Sequence, residues 1–125
     1  MKKIIAVVFT LVPLLSYGSK WVNVAKSDTV IFYVDTQSIQ KNGNTVTYWE
    51  KRNYVKRDEF GDLSSKVNLT INCRTRESQM LYLMTYDDLD NYGKVQSNFS
   101  PKNLEWRPIA PDTVSEIVMK FICRQ

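Results

Sequence analysis

Two cysteines, Cys73 and Cys123, lie behind an N-terminal segment with the order of an export signal, and this combination limits the fold more than any other feature of the chain. Met1-Lys2-Lys3 supplies a positive start, Ile4 to Leu15 an apolar run, and Ser16-Tyr17-Gly18 small residues around a bulky one, the succession of regions in a secretory signal. The apolar run falls short of the about twenty residues that a membrane-spanning helix needs, and no later segment approaches that length. Residues 1–18 are therefore expected to be a cleaved signal peptide and residues 19–125 a single domain with a modest core. Ser19 would then open the mature chain, where a bacterial lipoprotein carries its lipidated cysteine, so neither a lipid anchor nor a transmembrane segment is expected. In an oxidising compartment the two cysteines can pair in only one way. Closing a loop of about fifty residues would contribute about 4 kcal/mol in the chain-entropy description.

The remainder reads as strands followed by one helix. Trp21 to Val24 alternates, Val30 to Val34 is β-branched and aromatic throughout, and Asp35 can cap a short turn over Thr36 to Ile39. Asn42-Gly43 is a hairpin signal. A long strand pattern follows from Thr45 to Arg57, then a break at Asp58-Glu59-Phe60-Gly61-Asp62. Val67, Leu69, Ile71 and Cys73 alternate onto one face of the next strand, and Gln79 to Tyr86 predicts another central strand. Residues 87–105 are polar and read as a long surface loop with room for a short edge strand. Thr113 and Glu116 have capping-box spacing, and Val114, Ile117, Val118, Phe121 and Ile122 make one apolar stripe ending at Cys123. The fold class is α+β: an antiparallel sheet of five or six strands with one C-terminal helix packed on a face and tethered by the disulfide.

No catalytic set assembles from this sequence. There is no histidine, which removes the commonest general base and metal ligand, and the paired cysteines offer no thiolate. No glycine-rich phosphate loop is present, and no cofactor is implied. Asp87, Asp88 and Asp90 faintly follow the start of a calcium loop, but Tyr92 and Phe99 stand where oxygen ligands belong, so a solvated loop is the better reading and no metal is expected. The formal charge of the whole chain is +4, and Lys2 and Lys3 supply two of those charges from within the signal. Such a small excess is no footprint for nucleic acid.

Lys51, Arg52, Tyr54, Lys56 and Arg57 form the candidate protein-binding surface, because four cations surround an aromatic that could anchor a protein ligand. The competing reading is a solvated edge strand whose cations block unwanted pairing. Trp21, Trp49 and Trp106 read as packing residues. Exposed strand edges permit a homodimer.

Trp21, Tyr33-Val34-Asp35 with Ser38-Ile39, Trp49, Ile71-Asn72-Cys73-Arg74, Trp106-Arg107-Pro108-Ile109, Pro111 with Thr113, and the closing Cys123, taken in that order, resemble the bacterial surface-adhesin protein E family. The resemblance spans nearly the whole of 19–125 and implies a sheet whose C-terminal helix is held by a Cys73–Cys123 bond. It also implies a non-enzymatic adhesin that binds host extracellular-matrix and plasma proteins such as vitronectin, laminin and plasminogen, displayed on the cell surface, released, or free in the periplasm. The alternative is a periplasmic inhibitor or accessory protein of a secreted enzyme such as lysozyme, docking through the acidic stretch Asp87 to Asp90.

Overall fold

The computed structural model describes residues 18–125; the export signal expected over 1–18 lies, apart from Gly18, outside them. Strands β1 (Trp21–Lys26), β2 (Val30–Asp35), β4 (Thr45–Tyr54), β5 (Ser64–Asn72), β6 (Glu77–Tyr86) and β7 (Val95–Phe99) lie side by side in that order in one antiparallel sheet. Two short strands complete it, β3 (Gln40–Asn42) on β4 and β8 (Arg107–Pro108) on β6. A single helix, α1 (Val114–Cys123), closes the described chain. The first five strands of the main path and the C-terminal helix are those that the hydrophobic patterns anticipate, and β7 is a short edge strand within the stretch read as a polar loop.

Local chemistry fixes the connections. The Asp35 carboxylate accepts from the Gln37 and Lys20 amides and so caps the 3₁₀ turn Thr36–Ser38, as the sequence predicts. Gly43 takes φ +64° in the β3–β4 turn, a conformation that most side chains resist. The Thr113 hydroxyl accepts from the Glu116 amide at the start of α1, while the Glu116 carboxylate reaches back to the Asp112 amide, one residue before the cap.

The helix covers one half of one sheet face. Val34, Val46, Tyr48 and Ile71 from the strands and Ile109 from the loop before α1 meet Val118, Met119 and Ile122 in the main buried cluster, and Ile122 is 0% exposed. The apolar stripe differs from its sequence reading at two positions: Ile117 is exposed and Met119 is buried. Cys123 is the cause, because it bonds Cys73 just beyond the end of β5 and must face the sheet. Met119, one turn earlier on the same side, turns inward with it, and Ile117 turns out. The disulfide thus pins the C-terminal end of the helix beside the β5–β6 turn, and Arg76 in that turn also pairs with Glu116.

Candidate protein-binding surface

Strand alternation decides where the five candidate residues go. Within β4, Lys51 and Asn53 point to the face opposite α1, whereas Glu50, Arg52 and Tyr54 point to the helix side. Lys51 is only 7% exposed. Its Nζ lies 2.9 Å from Asp90 Oδ1, 4.6 Å from the Tyr33 ring centroid and 5.0 Å from that of Trp21, so the charge is held by a carboxylate and two aromatic faces. Asn53 completes the clamp: its Nδ2 donates to the same Asp90 oxygen at 2.8 Å, and its Oδ1 accepts from the Asp90 amide at 2.8 Å. These contacts, the Asn53 amide first and then Lys51, hold the Asp90 carboxyl below its usual range.

Ser64 and Asn91 tighten this attachment. Ser64 Oγ donates to the Asp88 carbonyl and accepts from the Asn91 amide, and Asn91 Nδ2 donates to the Ser65 carbonyl. Asp90 and Asn91 both have positive φ, a backbone geometry that their short polar side chains tolerate better than most. Each carboxylate of the acidic stretch also accepts a hydrogen bond within the fold. Asp87 closes its loop by accepting from the Lys94 amide, Asp88 accepts from the Leu89 amide, and Asp90 docks on the sheet. Gly93 is required at that closure, since a Cβ there would collide with Asp87 Oδ1.

On the helix side, the Glu50 carboxylate is buried, accepting from the Tyr48 hydroxyl and from Arg52 Nε. Burial, with the Glu50 charge added, pushes the Tyr48 phenol well above its ordinary value, so it remains a donor to Glu50. The Arg52 guanidinium lies 5.5 Å from the Phe32 ring centroid. Only Nε of its nitrogens donates to a protein acceptor among the described residues. Tyr54 donates to Ser65 Oγ at 3.0 Å. Lys56 and Arg57 lie beyond the end of β4, which stops three residues earlier than its sequence pattern, and both are exposed. Arg57 Nη1 donates to the carbonyls of Gly61 and Asp87, joining the loop after β4 to the loop after β6.

The candidate stretch is thus divided. Lys51 and Arg52 lie on opposite faces with internal counter-ions, while Tyr54, Lys56 and Arg57 gather at the end of the sheet away from the disulfide. The edge-strand reading fails, because β4 lies between β2 and β5 in the interior of the sheet. Trp106 departs from the packing reading too, being exposed, whereas Trp21 and Trp49 are half-buried.

Residues that sequence reasoning passed over complete this end. The turn read only as a break is built by Asp58, whose Oδ1 accepts from the Phe60 and Asp62 amides at 2.9 Å each. It presents Phe60 to solvent at 77% exposure, beside Val55 at 62%. Two hollows adjoin it, with Tyr54 and Asp58 bordering both. One, of about 350 Å³, is lined by Val30, Val55, Lys56 and Arg57; the other, of about 580 Å³, by Arg52, Phe60, Asp62, Leu83 and Gln96. An aromatic inside an otherwise acidic turn was the signal available in the sequence.

One antiparallel sheet with one disulfide-pinned C-terminal helix makes this a small α+β domain. The chain belongs to the surface-adhesin protein E family, whose sequence profile matches residues 21–124. Its fold is similar to that of Haemophilus influenzae protein E. Crystal form II of that protein superposes with a TM-score of 0.62 at 20% identity, over 93% of this chain and 96% of the other. The selenomethionine form gives 0.61 at 20% identity, over 92% and 94%. A third structure gives 0.58 at 18% identity, over 91% of each. No curated protein matches the chain. Among the described residues no helix is long and apolar enough to cross a membrane, and no three acidic or cysteine side chains group as a metal site would require.

Proposed function

We propose that this protein is an exported, non-enzymatic adhesin module that binds a host extracellular-matrix or plasma protein through the loop end of its sheet, and that it acts at the cell surface. The observation that carries the reading is the exposure of Phe60 on a hydrogen-bonded turn and of Val55 just past the end of β4, with Lys56 and Arg57 between them in the chain. Leaving a large apolar side chain in water forgoes about 1.5–3 kcal/mol of burial free energy, which a protein ligand can recover. A rigid aromatic flanked by cations is the composition of an interface hot spot. The five-residue candidate site narrows accordingly: Tyr54, Lys56 and Arg57 face the ligand, and Lys51 and Arg52 hold the scaffold behind them.

Solid-phase binding of the purified protein to immobilised vitronectin, laminin and plasminogen tests this reading. Binding is expected for at least one of them, falling about tenfold or more when Phe60→Ala is combined with Lys56→Ala, the loss a hot-spot residue gives. Binding no greater than that of a denatured control, or undiminished in the double variant, refutes it. Labelling of intact cells with an antibody to the protein tests the location, and staining only after permeabilisation overturns surface display.

A further inference from the structure

The groove between β4, β7 and the 58–62 turn carries a charge that the fold does not neutralise. Asp62 is 5% exposed, yet no cation pairs with it among the described residues. Its Oδ1 accepts from Gln96 Nε2 at 2.8 Å, and its other carboxylate oxygen receives no hydrogen bond there. Every fully buried side-chain polar atom among those residues has a hydrogen-bond partner, so this oxygen is open, and the space beside it is the groove that Asp62 lines. An accessible carboxylate oxygen with no cation in ion-pair range is free to accept a charge-assisted hydrogen bond from one that arrives.

The rest of the groove fits one kind of cation. Asp58 adds a second negative charge but is committed to the turn through its Oδ1. Arg52, which also lines the groove, is balanced by Glu50, and Arg57, held on the Gly61 carbonyl, makes no ion pair with Asp62. Tyr54, Phe60 and Leu83 supply apolar and aromatic surface to the same groove. A hydrated metal ion has no use for that surface, whereas the hydrocarbon stem and charged head of a lysine or arginine use both parts of the site.

Resting on the binding role above, we infer that this groove receives a lysine or arginine side chain from the protein ligand, its stem along Tyr54, Phe60 and Leu83 and its head on Asp62. The surface then reads a basic residue next to apolar ones.

Titration of isotope-labelled protein with capped tripeptides, glycine–lysine–glycine and its arginine and norleucine counterparts, followed by NMR, tests the inference. The basic peptides should shift the Asp62 and Phe60 amides, the Gln96 side-chain amide and the Leu83 methyls. The norleucine peptide, equal in stem and lacking the charge, should bind at least about tenfold more weakly, the difference expected of one charge-assisted contact. Asp62→Asn keeps an oxygen for Gln96 and should abolish the preference. Gln96→Lys places a tethered ammonium beside Asp62 from an exposed position and should block the basic peptides while leaving the spectrum folded.

Equal binding of the lysine and norleucine peptides, shifts that map elsewhere, or a preference that survives both variants would overturn the assignment. If binding to matrix proteins depends on Phe60 but is indifferent to Asp62→Asn, the groove's specificity is discarded and the binding surface stands; indifference to both discards the surface as well.

Discussion

Replacing Cys73 and Cys123 together by alanine asks how much of this fold depends on one covalent link. The two residues are 50 apart in sequence, and in the chain-entropy description releasing a loop of that length costs about 4 kcal/mol at 25 °C. The helix has little to fall back on. Ten residues are too few for a stable isolated helix, so α1 keeps its structure only by pressing Val118, Met119 and Ile122 on the sheet. A domain of this size has a net stability of about 5–15 kcal/mol, so the double variant should lose between a quarter and most of it. With a urea dependence of about 1–3 kcal/mol per molar, the unfolding midpoint should fall by about 1–4 M. Half-buried Trp21 and Trp49 give a fluorescence signal for the transition. Amide exchange should rise first in α1 and in the residues around Cys73. A midpoint shift equivalent to less than about 1 kcal/mol at unchanged slope would refute the reasoning, since it would mean that noncovalent packing alone holds the helix.

Truncation of Ile122 to alanine, at a fully buried position, should cost about 2–5 kcal/mol in urea unfolding, whereas Ile117→Ala on the exposed side should stay within about 0.5 kcal/mol. Thr113→Ala removes the oxygen that accepts from the Glu116 amide and should cost about 1 kcal/mol, with amide exchange increasing in the first turn of α1. Asp90 has a folded-state pKa below its ordinary 3.8, so its docking contribution is fully present above that value and is lost as pH falls through the depressed folded value. Acid titration by NMR should therefore release the 87–94 loop below about pH 4, and Asp90→Asn should leave that loop loose at every pH. Lys51→Met removes the ammonium from Asp90 and leaves Asn53 as the side-chain donor to that carboxylate, and faster exchange of the Asp90 and Asn91 amides should report it, with the core strands unaffected.

The scaffold was legible because its signals are local and redundant. Alternation in Val67, Leu69 and Ile71, the Asp35 cap, the Gly43 turn and the Thr113 cap each name an element or a boundary from a few neighbouring residues, and the structure follows them. The candidate surface was legible only in part. A sequence shows that Lys51, Arg52, Lys56 and Arg57 are close in the chain, but strand geometry sends the first two to opposite faces, and what awaits each is non-local. Asp90 meets Lys51 from thirty-nine residues away, while Glu50 reaches Arg52 across the pleat on the same side. Asp62 escaped notice for the same reason: its state depends on Gln96, thirty-four residues on, and on Arg52 and Arg57 being engaged elsewhere.

The disulfide and the proposed binding surface lie at opposite ends of one sheet, and a largely buried chain of polar groups runs between them. Tyr48 belongs to the core cluster beneath the helix, Glu50 lies next along the same face, and Arg52 opens into the groove. For stability alone a buried glutamate is a poor choice, since apolar replacements of such pairs are often neutral or favourable. Its presence is accounted for by what it holds. Glu50 holds the Arg52 guanidinium through Nε and balances its charge, so that the part of the groove wall that Arg52 supplies is close to neutral. The negative charge of Asp62 then stands out against that wall, and a ligand meets a preformed difference in potential that it need not organise for itself.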